Sequence, residues 1–167
     1  MARQIALSML LLPSLGLALG ACYGDAPRLS ESGQGLPEVT VDFPLRAEAG
    51  STQEAVFGVS NPGPGDIGSL VVAFARAGDP DLPEPIVDAG SRGANEAVVS
   101  VEPEPLGVSD DGVVYRFEGI EEGKATTIAF RLEVPDISGT AANAVQVYDG
   151  ADIERATGVR LETTVGQ

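Results

Sequence analysis

The chain has no histidine and no tryptophan, a single cysteine, and ten lysines and arginines against 25 aspartates and glutamates. Without histidine there is no Ser-His-Asp triad and no imidazole ligand for zinc, copper or haem. The lone cysteine, Cys22, excludes an intrachain disulfide and a thiolate metal cluster. Both methionines, Met1 and Met9, lie near the start, so no thioether ligand remains beyond them. The shortage of basic side chains leaves a net charge of −15. That argues against a nucleic-acid partner, which is held by neutralising its phosphates. Aromatic residues make up 5 % of the chain, too few to supply the ring platforms usual in sugar sites. An enzyme built from this inventory would rely on carboxylates, hydroxyls, Lys124 or arginine. Among 25 acids, a pair at glycosidase spacing arises by chance and signifies nothing. We therefore expect no catalytic activity and no cofactor.

What is present begins with a leader. Arg3 precedes an apolar run, Ile5–Leu19, interrupted by Ser8, Pro13, Ser14 and Gly16. As a helix it would span about 22 Å, short of the roughly 30 Å hydrocarbon core. Pro13 also suits a cleaved export signal better than a permanent span. The run ends in Leu19-Gly20-Ala21-Cys22. This resembles the bacterial lipobox, an aliphatic residue and two small ones before a cysteine. The resemblance implies a signal peptide over residues 1–21, a diacylglyceryl group on the Cys22 thiol and an acylated new N-terminus. At about 0.8 kcal/mol per buried CH₂, two or three such chains hold a protein on a membrane almost permanently. Tyr23 stands where an inner-membrane retention signal would place aspartate, so the resemblance favours the outer membrane or cell surface. Loss of Arg3 with the leader would take the side-chain charge from −15 to −16.

Residues 22–38 read as the acylated, flexible tether. From Gly24 to Glu38 the only large apolar side chains are Leu29 and Leu36, too little to offset the entropy of ordering. Such a linker sets a domain about 20 Å from its anchor on average.

From Val39 the apolar residues fall at alternate positions, the period of a half-buried strand. Val39, Val41, Phe43 and Leu45 form the first set, with Pro44 marking an end or an edge. Ala55–Val59 is the second, stopped by Asn61-Pro62-Gly63-Pro64-Gly65. Leu70–Ala75 is continuously apolar and is expected to be covered on both faces. Val99 with Val101, Val113–Phe117, Ile128–Val134, Val145 with Val147, and Val159–Val165 complete eight predicted strands. Short one-faced strands hide their apolar sides only against a second sheet or by closing into a barrel. The pattern predicts an all-β sandwich over residues 39–167, with a closed barrel as the alternative. Its expected core is Phe57, Leu70, Val72, Phe74, Phe117, Ile128, Phe130, Leu132, Val145, Val147 and Leu161.

Two stretches carry a further resemblance. Phe57-Gly-Val59-Ser-Asn61-Pro-Gly63-Pro-Gly65 leads into Leu70-Val-Val-Ala-Phe74. Gly119-Ile120-Glu-Glu-Gly123 precedes Thr126–Val134, then Gly139 and Asn143–Val147. They resemble the Ig-like domains repeated in bacterial surface proteins, of the cell-adhesion-related and conserved-repeat types. The resemblance implies an Ig-like antiparallel sandwich of about seven to eight strands and a surface role, and brings no catalytic residues. Asn61, Gly63 and Gly123 read as turn formers, since asparagine and glycine tolerate positive φ and asparagine can cap its own turn.

Asp79, Asp81, Glu84 and Asp88 are the densest acidic cluster and the candidate ligands for a hard cation such as Ca²⁺. Pro80, Pro83 and Pro85 stiffen that loop, and it does not match the twelve-residue calcium loop. A solvated acidic loop with no metal is the preferred reading. Tyr148 lies on the face opposite Val145 and Val147, and is expected to cover the sheet rather than to contact a partner. The function expected is an envelope-anchored, non-catalytic binding or structural module. It meets the membrane through Cys22 and, as partner, an envelope protein or polysaccharide. The alternatives are a Ca²⁺-dependent carbohydrate or protein binder of the same fold and a carboxylate hydrolase.

Overall fold

Ile128, Phe130 and Leu132 are fully buried while Thr127, Arg131 and Glu133 are exposed, so the clearest period-two run in the sequence is a strand with one face in a core. The computed structural model describes residues 36–78, 83–88 and 96–166. Its strands are β1 (Glu38–Asp42), β2 (Arg46–Glu48), β3 (Thr52–Ser60), β4 (Ile67–Arg76) and β5 (Val98–Glu102). They continue with β6 (Gly107–Val108), β7 (Val114–Ile120), β8 (Ala125–Glu133), β9 (Gly139–Asp149) and β10 (Ala156–Gly166). One sheet has the order β1-β3-β8-β5 and the other β2-β10-β9-β4-β7-β6. Every pairing between these strands is antiparallel except β2 with β10. The fold is an open, all-β sandwich of two sheets, not a closed barrel.

All eleven expected core residues are buried between the sheets. Phe130 is their hub. Its ring meets Phe57, Phe74, Tyr115 and Phe117 edge-on, with centroids 5.7, 5.1, 5.1 and 6.3 Å away. Edge-to-face contacts of this kind add to burial because each ring's positive rim meets a negative face.

The eight predicted strands correspond to eight of the ten observed, with β2 and β6 as short additions. Three local expectations are corrected. Pro44 marks an end and an edge as expected, since β1 stops at Asp42 and borders its sheet, but the alternation does not continue to Leu45: the chain crosses to the other sheet at Pro44, and Leu45 is 83 % exposed. The crossing sets β2 parallel to the end of β10, and the Leu45 carbonyl accepts from the Thr164 amide. In β5 the ladder slips between Val98 and Ser100, so Val98 and Val101 face the core and Val99 is exposed. An extra residue in a bulge inverts the alternation on either side of it. The run Leu70–Ala75 is covered on both faces only in part, since Val71 is buried but Ala75 is exposed. On the outer face Val71 lies opposite Tyr148, itself 7 % exposed, so Tyr148 covers the sheet as expected.

The sandwich also takes in residues assigned above to the tether. Pro37 is buried and Glu38 opens β1 opposite Ser60.

Candidate functional site

The registers sort the connections to two ends. Glu38 pairs with Ser60, Ser60 with Ala125, and Tyr148 with Ala156. The 61–66, 121–124 and 150–155 connections therefore share the end at which the chain enters. Residues 83–88, between β4 and β5, lie at the opposite end, with the 109–113 and 134–138 turns.

At the entry end the two stretches that suggested an Ig-like domain meet. Asn61 is buried and spends its whole amide: Oδ1 accepts from the Gly63 amide, and Nδ2 donates to the Gly65 and Ile120 carbonyls. Its backbone amide donates to the Lys124 carbonyl, and its carbonyl accepts from Gly123. Gly63 and Gly123 hold φ of 84° and 73°, which L side chains rarely adopt, and Asn61, without a positive φ, caps its own turn through Oδ1, so all three form turns. Two carboxylates lock the loops together. Asp66 Oδ1 accepts from the Glu122 amide, and Glu122 Oε2 from the Gly65 amide.

Beside this corner is an open cleft of about 250 Å³ between Pro64–Ile67 and Asp149, Asp152 and Arg155. Its acids already have partners. Asp149 accepts from the Gly68 and Ala151 amides, and Asp152 lies 3.6 Å from Arg155. Among the described residues, no three acidic or cysteine side chains converge as a metal site would need.

At the opposite end the organising residue is Asn143, which is fully buried. It lies at an inward position of β9, in line with Ala141, Val145 and Val147, where an apolar side chain would be expected. Oδ1 accepts from the Ile86 and Val87 amides at 3.0 and 2.9 Å. Nδ2 donates to the Ala75 and Val87 carbonyls at 3.1 and 2.7 Å. The Glu84 carbonyl accepts from the Ala142 amide, so Glu84 makes a single bridge to β9 where β4 leaves it. Ile86 and Val87 then enter the core. Asp88 receives two hydrogen bonds from the Arg76 guanidinium, which hold the Arg76 pKa above its ordinary value.

Of the candidate cation ligands, Asp88 is thus committed to Arg76, and Glu84 joins the sheet through its backbone. Asp79 and Asp81 lie outside the described residues, as does Cys22. Neither the Asn143 clamp nor the Arg76–Asp88 pair follows from strand periodicity. The signal for the clamp was a polar residue in register with valines on an inward face.

Two further side chains have displaced pKa values without forming a site. Tyr115 is pushed up to about 12 by burial, with its hydroxyl donating to the Gly112 carbonyl. Asp111, in the neighbouring turn, is held below the usual carboxylate range by the Ser109 hydroxyl.

No protein-family model and no curated protein matches the chain. Solved structures do align with it. BslA, a bacterial hydrophobin, matches at 7 % identity and TM-score 0.46 over 80 % of this chain and 100 % of that one. A PKD domain of an M14-like peptidase from a Thermoplasmatales archaeon matches at 16 % identity and TM-score 0.38, over 79 % and 94 %. A conjugative transposon lipoprotein from Bacteroides eggerthii matches at 13 % identity and TM-score 0.37, over 77 % and 94 %. At such scores the likeness is one of general form, and the sandwich stands on its own strand order and core.

Proposed function

We infer that the chain is an envelope-anchored lipoprotein whose sandwich is a non-catalytic binding or structural module at the bacterial cell surface or in the periplasm. One observation carries the reading: the only cysteine follows Leu19-Gly20-Ala21 at the end of an apolar run. From there, residues 23–35 lead to Leu36, where the described fold begins. The sandwich supports a scaffold role, because Asn61, Asp66, Glu122, Asp149 and Asn143 all spend their side chains holding loops in place. Tyr23 after the cysteine favours the outer membrane or cell surface over the inner membrane. The partner in this reading is an envelope protein or polysaccharide.

The test is to express the full chain in a bacterium, fractionate the cells and measure intact mass. The expected product starts at Cys22, carries two or three acyl chains and pellets with membranes, and Cys22→Ser stays soluble. An unmodified thiol, or cleavage at another position, overturns the reading.

A further inference from the structure

The point at which the chain enters the sandwich sets which end lies nearest the anchor. The Pro37 carbonyl accepts a hydrogen bond from the Thr157 hydroxyl, which is buried at the start of β10. Glu38 continues directly into the β1–β3 ladder at Ser60. The entering chain is therefore fixed to both sheets, with Thr157 in one and Ser60 in the other. A pull from the N-terminus is delivered to the end that carries the 61–66, 121–124 and 150–155 connections. The eleven-residue strands β9 and β10 run away from that end, and at about 3.3 Å per residue they span roughly 35 Å. The 83–88 segment held by Asn143 lies at their far end.

The entry end is also acidic. Glu38, Asp66, Glu121, Glu122 and Glu154 are exposed carboxylates there, against Lys124 and Arg155. A surface of that sign is repelled by anionic lipid headgroups within about a Debye length, roughly 10 Å at 0.1 M salt and 30 Å at 0.01 M. Between Cys22 and Leu36 the linking chain can reach at most some 50 Å at about 3.3–3.6 Å per residue. The domain can thus stand clear of the headgroups while remaining attached.

We propose that the sandwich is mounted end-on. The end bearing the 61–66, 121–124 and 150–155 connections faces the lipid surface and is held off it by its carboxylates. The end bearing the Asn143-clamped segment is presented outward. This rests on the lipoprotein reading above and adds an orientation to it.

Because Cys22 is acylated in that reading, a cysteine introduced elsewhere can be labelled alone. Two exposed positions serve: Ile153, 69 % exposed at the entry end, and Ser138 at the far end. Acylated Ile153→Cys and Ser138→Cys proteins are each given a fluorophore and incorporated into phosphatidylcholine vesicles containing a headgroup-nitroxide lipid. Quenching should be much stronger at position 153 than at 138. Replacing part of the phosphatidylcholine by phosphatidylglycerol at low salt should reduce quenching at 153, and added NaCl should restore it. In a Glu121→Gln, Glu154→Gln background that reduction should shrink. Equal or reversed quenching in acylated, vesicle-bound protein overturns the orientation and leaves the anchor intact. Insensitivity to phosphatidylglycerol overturns the electrostatic stand-off. Protein that is not acylated and does not bind vesicles overturns the lipoprotein reading and the orientation with it.

Discussion

Replacing Asn143 by alanine removes one side chain and four hydrogen bonds together. The Ile86 and Val87 amides lose an acceptor, and the Ala75 and Val87 carbonyls lose a donor. A buried backbone group left unpaired costs about 1–3 kcal/mol, so four of them would exceed most of a domain's margin of about 5–15 kcal/mol. The chain has a cheaper response. It can release residues 83–88, forfeiting the burial of Ile86 and Val87 at about 1.5–3 kcal/mol each. The smaller cost decides: the two burials sum to about 3–6 kcal/mol, the released segment regains conformational entropy, and we expect Asn143→Ala to destabilise by about 3–4 kcal/mol with local release of the segment. For a domain of this size that corresponds to a fall in Tm of roughly 10–15 °C. Urea unfolding gives the energy. Hydrogen exchange at Ile86 and Val87, with protease sensitivity between Arg76 and Val98, shows whether release is local. Asn143→Asp is a sharper test, because it keeps the acceptor but turns the donating nitrogen into an oxygen facing two carbonyls. Burial and those carbonyls would raise the new carboxyl's pKa above its unfolded value near 3.9. Its folded form would be favoured below that value, and the variant should lose stability progressively as pH rises through the folded pKa. The reasoning fails if Asn143→Ala stays within about 0.5 kcal/mol of the parent with Ile86 and Val87 still protected.

Phe130→Ala should cost about 4–5 kcal/mol, at the upper end for a buried phenylalanine, because four ring contacts go with it; denaturant titration giving less than about 2 would contradict its place as hub. Thr163 Oγ1 is buried without a hydrogen-bond partner, beside Ala141 on the inward face of β10. Thr163→Val should therefore stabilise by about 1 kcal/mol in the same assay, and a loss would reveal a partner for that hydroxyl. Calcium chloride at roughly 2 mM, near the weak end of extracellular calcium modules, should raise Tm no more than sodium chloride of equal ionic strength. The gain common to both would be screening of the −15 net charge. A calcium-specific rise abolished by Asp81→Asn would instead promote the Ca²⁺-dependent binder.

Much of the fold was legible because burial in a sandwich depends on one local variable, which side of the pleat a residue occupies. In β8 the large apolar residues fall on one side without interruption, in β3, β7 and the second half of β9 most of them do, and all those named as core are buried. The reading failed where an event external to the strand reset the alternation. At Pro44 the chain changes sheets, and at Val99 a bulge inserts one residue. The first half of β9, Gly139–Ala144, was missed for another reason. Its glycine, threonine and alanines carry little hydrophobic signal, and it is pairing with β10, joined by β4 at Asn143 and Ala144, that makes them a strand.

The loops show the complementary limit. Gly63 and Gly123 could be read as turn formers because backbone conformation is a local demand and φ near +80° narrows the choice of residue, and Asn61 because an asparagine side chain can cap its own turn. Contact between the 61–66 and 121–124 loops is nonlocal. It rests on single hydrogen bonds from Asp66 and Glu122, which in sequence look like any other solvated carboxylates. The same holds for Asp88. Composition places it in an acidic loop open to a cation, whereas the fold sets it against Arg76 from the end of β4. A carboxylate's role here is decided by what the topology brings beside it. Asn143 differs in one respect: its inward register with Val145 and Val147 marks a polar side chain that must find partners within the core. An inward polar residue in a period-two strand thus foretells a clamped segment, though not which segment it clamps.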